Sequence, residues 1–222
     1  MSPRRALPLP LPVLMLAVSL LAACSTTRTL ANPTLEVRTP QGVELGVSTE
    51  YGVVFLGRTA RSGPVDLTAW FGDGPSVEVT VIEPLGGGLY TAETEIRLPT
   101  VPMTFRTPVP GQEVTVRGRR GREDWEEIVK VVSDPRVTGI LIQIPGQLRD
   151  APDQIGAGVY VSEGEHEVLF VGLVSGRLRL IDADGRSADY LTVMGPDEMW
   201  RLVTFRREFQ RKRNWVYRED IL

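Results

Sequence analysis

Val168-Leu169-Phe170-Val171-Gly172-Leu173-Val174, then Leu178 to Ile181, the turn Asp182-Ala183-Asp184-Gly185 and the run Tyr190 to Met194 make up the stretch that decides the fold. Short apolar runs rich in Val, Leu and Ile, bounded by residues suited to chain reversal, read as β-strands. The Asp-Ala-Asp-Gly turn joins the last two as a hairpin. The same pattern spreads upstream. Strands are expected at Leu35–Arg38, Val43–Val47, Tyr51–Leu56, Val65–Phe71, Val77–Ile82, Leu89–Ile96, Met103–Arg106, Val114–Gly118, Val137–Ile144 and Gly158–Val161. Ser62-Gly63-Pro64, Gly72-Asp73-Gly74-Pro75, Gly86-Gly87-Gly88 and Pro108-Val109-Pro110-Gly111 punctuate them, and the 17 prolines and 22 glycines fit many short strands and turns.

Two segments interrupt this rhythm. Gly118 to Asp124 carries Arg119, Arg120 and Arg122 among glycines and reads as a charged linker between two halves, 35–118 and 125–195. The next run, Trp125 to Val132, has apolar residues at helical spacing, yet its β-branched content and the following Asp134-Pro135 favour a strand. After Gly195-Pro196-Asp197 the period changes. Asp197 suits a helix entrance as an acceptor for exposed backbone donors, and Glu198 suits the positive end of the dipole. Met199, Leu202, Val203 and Phe209 share one face, and Arg206, Arg207, Arg211, Lys212 and Arg213 crowd the outer face and last turn. An amphipathic helix over 197–213 is expected, its basic end complementing the macrodipole or meeting an anionic surface.

The amino terminus is a separate matter. Arg4 and Arg5, an apolar run from Val13 to Leu21 and small residues before Cys24 form the three parts of a secretory signal over residues 1–23. Leu21-Ala22-Ala23-Cys24 resembles the lipobox of bacterial lipoprotein precursors, which implies cleavage before Cys24 and acylation of its sulfur and amine. The apolar run is well short of the roughly 20 residues a membrane-spanning helix needs. Residues 24–34, small or polar at their start, then read as a lipidated tether, and 35–222 as one β-rich domain. By the same resemblance, Ser25 in place of an aspartate implies the outer membrane of a diderm envelope, facing the periplasm. Cys24 is the only cysteine, so no internal disulfide is expected.

Removing residues 1–23 from the 222 leaves 199, ample for a sizeable core. The leader takes two of the 25 basic residues, so 23 against 28 acidic leave about −5, and nothing in that balance suggests a nucleic-acid binder.

From Asp66 to Gly176 the order of features is similar to trypsin-like serine proteases of the Deg/HtrA type. Val65 to Phe71 resembles the strand and turn that hold the family's histidine, and Asp73 to Val79 the strand after it. Thr91 to Pro99 resembles the segment of the aspartate, and Pro110-Gly111-Gln112-Glu113-Val114 the strand before a Gly-rich connection. Gln154-Ile155-Gly156-Ala157-Gly158 resembles the nucleophile loop, and Val171-Gly172-Leu173-Val174-Ser175-Gly176 the closing of the specificity pocket. The resemblance implies a double β-barrel with a terminal helix; a β-sandwich is the alternative arrangement.

Carried over residue by residue, the nucleophile falls on Ile155, the histidine on or near Trp70, and the acid near Tyr90 and Thr91. A serine nucleophile needs a base within hydrogen-bond reach, and neither Ile155 nor Trp70 can play its part. No catalytic residue is therefore expected; Trp70, Ile155 and Gly156 are vestigial positions, the glycine serving its turn.

Other chemistry is poorly supported. His166, the sole histidine, sits among Glu163, Glu165 and Glu167 at a hairpin tip, and strand alternation splits those carboxylates between two faces, so no metal is expected. Asp182 to Gly185 is no calcium loop, because Arg186 and Val193 occupy ligand positions. Gly86-Gly87-Gly88 lacks the Lys-Ser/Thr of a phosphate loop, and no cofactor is expected. The two lysines, Lys130 and Lys212, adjoin no serine motif. The expected function is a membrane-anchored, non-catalytic binding or structural role, with an envelope protein, peptide or glycan as partner. The alternative is a periplasmic hydrolase using carboxylates such as Glu93-Glu95 or Glu126-Glu127 in an unrelated β fold.

Overall fold

The computed structural model describes residues 32–39, 42–57, 66–68, 76–94, 98–120, 123–144, 155–164 and 167–204. The expected leader, Cys24 and most of the expected tether, Trp70, His166 and the expected helix beyond 204 lie outside the described residues. Twelve strands run β1 (Thr34–Thr39), β2 (Gly42–Thr49), β3 (Gly52–Leu56), β4 (Asp66–Thr68), β5 (Ser76–Gly86), β6 (Leu89–Thr94), β7 (Glu113–Arg120), β8 (Glu123–Val132), β9 (Ile140–Gln143), β10 (Gly158–Glu163), β11 (Glu167–Ile181) and β12 (Ser187–Met194). They close into two barrels, β1-β2-β3-β6-β5-β4 and β7-β8-β9-β12-β11-β10, with the same order in each and every ladder antiparallel. Closure rules out the sandwich and pairs what would otherwise be open sheet edges.

The sequence of β3 shows why two barrels pack. Val53 and Phe55 face the first barrel's core with Leu35, Val37 and Ala92. Val54 and Leu56 point the other way, into a shared cluster with Phe170 and Leu173 of the second barrel. Alternate residues leave opposite faces of a strand, so burial on both faces demands the unbroken run Val53-Val54-Phe55-Leu56. Each such side chain contributes about 1.5–3 kcal/mol on burial. The second barrel's own core is built from Val116, Val131, Ile142, Val159, Val171 and Leu191.

The boundary between the halves differs from the sequence expectation. Strand β7 pairs with β8 over its whole length, from Glu113↔Lys130 to Arg120↔Glu123, so 118–124 is the hairpin between them and not a linker. Gly118 is fixed by packing there, because a Cβ would lie 2.0 Å from the Trp125 ring. The barrels span 34–94 and 113–194 instead of 35–118 and 125–195. The segment between them is stitched to both: Val101 N donates to Ser48 O (3.1 Å), Thr104 N to Phe170 O (2.9 Å) and Phe170 N to Pro102 O (2.8 Å). Met103–Arg106 forms only the isolated bridge Met103↔Phe170 and no strand. Pro99, Pro102, Pro108 and Pro110 explain this, since each removes a backbone donor.

Trp125–Val132 lies within β8, as the β-branched content favours. The two runs 168–174 and 178–181 form one strand, β11, in which Val174 pairs with Val193 and Gly176 with Thr192, leaving Ser175 as the extra residue of a bulge. A helix, α1, occupies residues 196–204. Its cap is Gly195, whose carbonyl accepts from Met199 N at 3.1 Å, with Pro196 preset for the first helical position. Among the described residues Asp197 accepts no hydrogen bond, so the capping role expected of it is not taken up. Met199 and Val203 are buried between the barrels with Leu202 packed beside them, which is the face read from the sequence.

The first strand also latches onto the second barrel. Thr34 Oγ1 lies 3.3 Å from Arg117 O and 3.0 Å from Tyr160 Oη, so its hydroxyl donates to the carbonyl and accepts from the phenol. Burial pushes the Tyr160 hydroxyl well above its ordinary pKa, against the weaker pull of Thr34 and Arg117, so it stays protonated and donating. Thr34→Val should cost about 2–3 kcal/mol, because two buried groups lose a partner, whereas Tyr160→Phe should cost about 1 kcal/mol. Urea unfolding of both variants checks the order, and equal losses would contradict the relay.

Candidate functional site

The turn that opens β10 sits where the two barrels meet. Gly156 has φ +88°, and a Cβ there would lie 2.6 Å from Leu45 O of the first barrel. Its amide donates to Val174 O at 2.7 Å, and Ala157 O accepts from Val174 N at 2.9 Å, which pins the turn to β11. Both the backbone angle and the close approach demand glycine. Ile155 beside it is half-buried against the inter-barrel cluster. An isoleucine at this point can only pack.

Gly57, the residue after β3, donates its N–H to Gly88 O at 2.8 Å. Gly86, Gly87 and Gly88 all take positive φ, giving the tight β5–β6 turn without side chains. A Cβ at Gly87 would meet Glu198 Oε1 at 3.4 Å and Met194 Cε at 3.8 Å, so this turn rests against the start of α1. Tyr90 and Thr91, the expected acid position, are structural. The Tyr90 ring stacks on Phe55 at 5.7 Å, and the Thr91 hydroxyl donates to Tyr51 O at 3.4 Å.

Strand β4, which precedes Trp70, lies between β1 and β5, whereas the strand reaching the β5–β6 turn is β3. The hairpin tip holding His166 closes at the Glu163↔Glu167 pair. β10 runs from Gly158, beside the Ile155-Gly156 turn, to Glu163, about 17 Å at some 3.3 Å per residue; His166 itself lies outside the described residues. Of the expected carboxylate pairs, Glu126 is bound by Arg117 at 2.6 Å, and Glu127, its strand neighbour, leaves the opposite face. Among the described residues no cluster of metal-ligating side chains occurs.

A groove of about 420 Å³ adjoins the β5–β6 turn, lined by Thr107, Ile140, Ser175, Thr192, Asp197 and Glu198 among others. Ser175 and Thr192 share a hydroxyl contact of 3.0 Å across the bulge. Among the described residues the recorded partner of the Ser175 hydroxyl is that of Thr192. Beyond Val174, β11 is paired only by β12 among the described strands, forming an arm whose outer face carries Arg177 and Arg179. The arm is braced on one side: Arg136 Nη1 donates to Ile181 O at 2.7 Å, and its hydrogen bonds hold the Asp134 carboxyl down to about 2. Sequence reading missed this groove, since nothing in the spacing of Thr107, Ser175 and Glu198 brings them together before the barrels close.

No protein-family model and no curated protein sequence matches the chain. Solved structures do. The protease domain of MamO from Magnetospirillum magneticum superposes with a TM-score of 0.50 at 16% identity, covering 75% of this chain and 94% of that one. A human pathogenic astrovirus serine protease gives 0.51 at 11%, covering 76% and 93%. Rv3671c of M. tuberculosis H37Rv, in the inactive form of a serine-to-alanine mutant, gives 0.52 at 14%, covering 78% and 87%. The chain has the double-barrel fold of trypsin-like serine protease domains.

Proposed function

We propose that this chain is an envelope lipoprotein whose trypsin-like double barrel does no chemistry and works by contact. A lipid on Cys24 holds it, by this reading, to the outer membrane, with the barrels hung in the periplasm. One observation supports the non-catalytic reading: the turn carried over from the nucleophile loop holds Ile155, whose side chain packs against the inter-barrel cluster and has no proton to give. The neighbouring surface still suits a partner. A strand edge without a described strand neighbour takes an extended peptide by main-chain pairing, with the flanking groove receiving alternate side chains. An envelope protein or free peptide segment is therefore the partner favoured over glycan.

The test is incubation of the full chain, solubilised in detergent, with a fluorophosphonate probe and with casein. No labelling and intact casein are expected. A labelled serine, Ser175 above all, would overturn the inert reading.

A further inference from the structure

Among the described residues Phe105 is the one aromatic residue that is mostly exposed, at 68%. A single surface ring is ordinary, whereas three in contact form a patch. Phe105 stacks on Trp200 with centroids 4.0 Å apart and planes 8° from parallel, and Tyr51 meets the same indole edge-on at 5.2 Å and 76°. The three rings come from the inter-barrel segment, α1 and the β2–β3 hairpin. Their seat is fixed. Thr104 N donates to Phe170 O at 2.9 Å and Arg106 N to Thr104 Oγ1 at 3.1 Å, so Phe105 projects from a segment bonded on either side of it. The Trp200 indole N–H donates to Thr104 O at 3.1 Å, which satisfies the only polar atom of that ring inside the protein. Two exposed arginines, Arg106 and Arg201, adjoin Phe105 and Trp200 in the chain.

The chain enters the body at this same end. Pro33 O accepts from Ser48 N at 3.0 Å, and Ser48 comes just before Tyr51 in the hairpin that closes at Thr49↔Gly52. From Cys24 to Pro33 even a fully extended chain covers at most about 30 Å. A lipid on Cys24 therefore keeps Pro33 within that distance of the bilayer, on the end that carries Tyr51. Tryptophan and tyrosine rings settle at the boundary between lipid headgroups and hydrocarbon, and arginine reaches from there to the headgroups.

Resting on the Cys24 anchoring proposed above, we propose that the Tyr51, Phe105 and Trp200 rings lie against the surface of the membrane that holds the tether, which sets the barrels in one orientation on it. The tether makes the contact intramolecular, so three rings need not hold the body unaided. Rings and not charge draw the surface in: Glu50 beside Tyr51, and Glu163 at 3.7 Å from Arg106, offset the two arginines. Added salt therefore leaves the contact in place.

The experiment uses the full chain, extracted from membranes in detergent and reconstituted into vesicles of phosphatidylethanolamine and phosphatidylglycerol. A thiol-reactive fluorophore is placed at Thr204→Cys, exposed and one helical turn beyond Trp200 on the same face, and separately at Asp184→Cys. The second site lies past the end of β11, roughly 35 Å along that strand from Phe170, the partner of Thr104. Lipid spin-labelled near its headgroup should quench the first probe at least about threefold more than the second, and the ratio should hold as salt rises. Phe105→Glu, which sets a charge on the exposed ring face, should bring the two to equality while the protein still floats with the vesicles. Equal quenching of the two probes in the chain that keeps Phe105, with the protein floating, would overturn the membrane contact and leave the anchor. Self-quenching at position 204 that grows with the protein-to-lipid ratio, without quenching by the spin label, would assign the rings to a second copy and overturn it likewise. Uptake of the fluorophore by the wild-type chain, whose one thiol is Cys24, would overturn the anchored reading and this inference with it.

Discussion

A Cys24→Ser chain should incorporate no labelled palmitate and should migrate as the uncut precursor, heavier by its 23-residue leader. The expectation rests on the anchoring at Cys24 proposed above. The leader's apolar run from Val13 to Leu21 falls well short of the roughly 20 residues needed to span, and Pro8, Pro10 and Pro12 keep a helix from extending upstream. Among the described residues no helix is long and apolar enough to cross. The charge balance after the leader, 23 basic against 28 acidic, does not draw the body as a whole to an anionic surface. Acyl chains are a sufficient anchor: each buried CH₂ contributes about 0.8 kcal/mol, and two or more chains hold stably where one is marginal. Metabolic labelling with radioactive palmitate, read beside an immunoblot, decides it. Label retained at the wild-type level in the serine variant would refute acylation at that sulfur.

The strands were legible because each barrel face imposes a period of two or an unbroken apolar run. Val53-Val54-Phe55-Leu56 could hardly be anything but a strand buried on both sides. Less legible was where one barrel stops. Gly118-Arg119-Arg120 reads as a charged connection, yet Gly118 is there to admit the Trp125 ring, a cross-strand contact that no local pattern announces. Proline has the opposite character: Pro99, Pro102, Pro108 and Pro110 mark the true connection, although the short run after Pro102 imitates a strand. At the crevice, the turn at Ile155-Gly156 was readable from its motif, and the structure gives Gly156 a reason in the Leu45 carbonyl. The groove was not readable, because it is assembled from the inter-barrel segment, the approach to β9, the paired strands β11 and β12 and a helix start, most of them distant in sequence. A spacing argument sees one element at a time, and this surface belongs to five.

Gly172→Ala should be among the most damaging single-methyl additions the fold can receive. Gly172 is mid-strand in β11, in backbone conformation open to any residue, and alanine there would ordinarily favour the folded state by about 0.5–1 kcal/mol over glycine. Packing opposes that gain. The added Cβ would lie 1.9 Å from Met194 O, 3.0 Å from Met194 C and 3.3 Å from the Gly195 Cα, and all three are backbone. No rotamer change relieves such a contact, so β12 must shift at the residue that precedes the Gly195 cap, taking α1 and its buried Met199 with it. Overpacking of this kind costs about 3 kcal/mol when side chains cannot yield, which outweighs the propensity term several-fold. Gly176→Ala is the control, because its Cβ would meet only the Thr192 hydroxyl at 3.2 Å, a side-chain atom able to turn away. Urea denaturation should therefore show a large fall in midpoint for the first variant and little change for the second. An alanine at 172 as stable as glycine would mean that the β11–β12 approach, and with it the seat of the helix and the groove beside it, is looser than the backbone distances require.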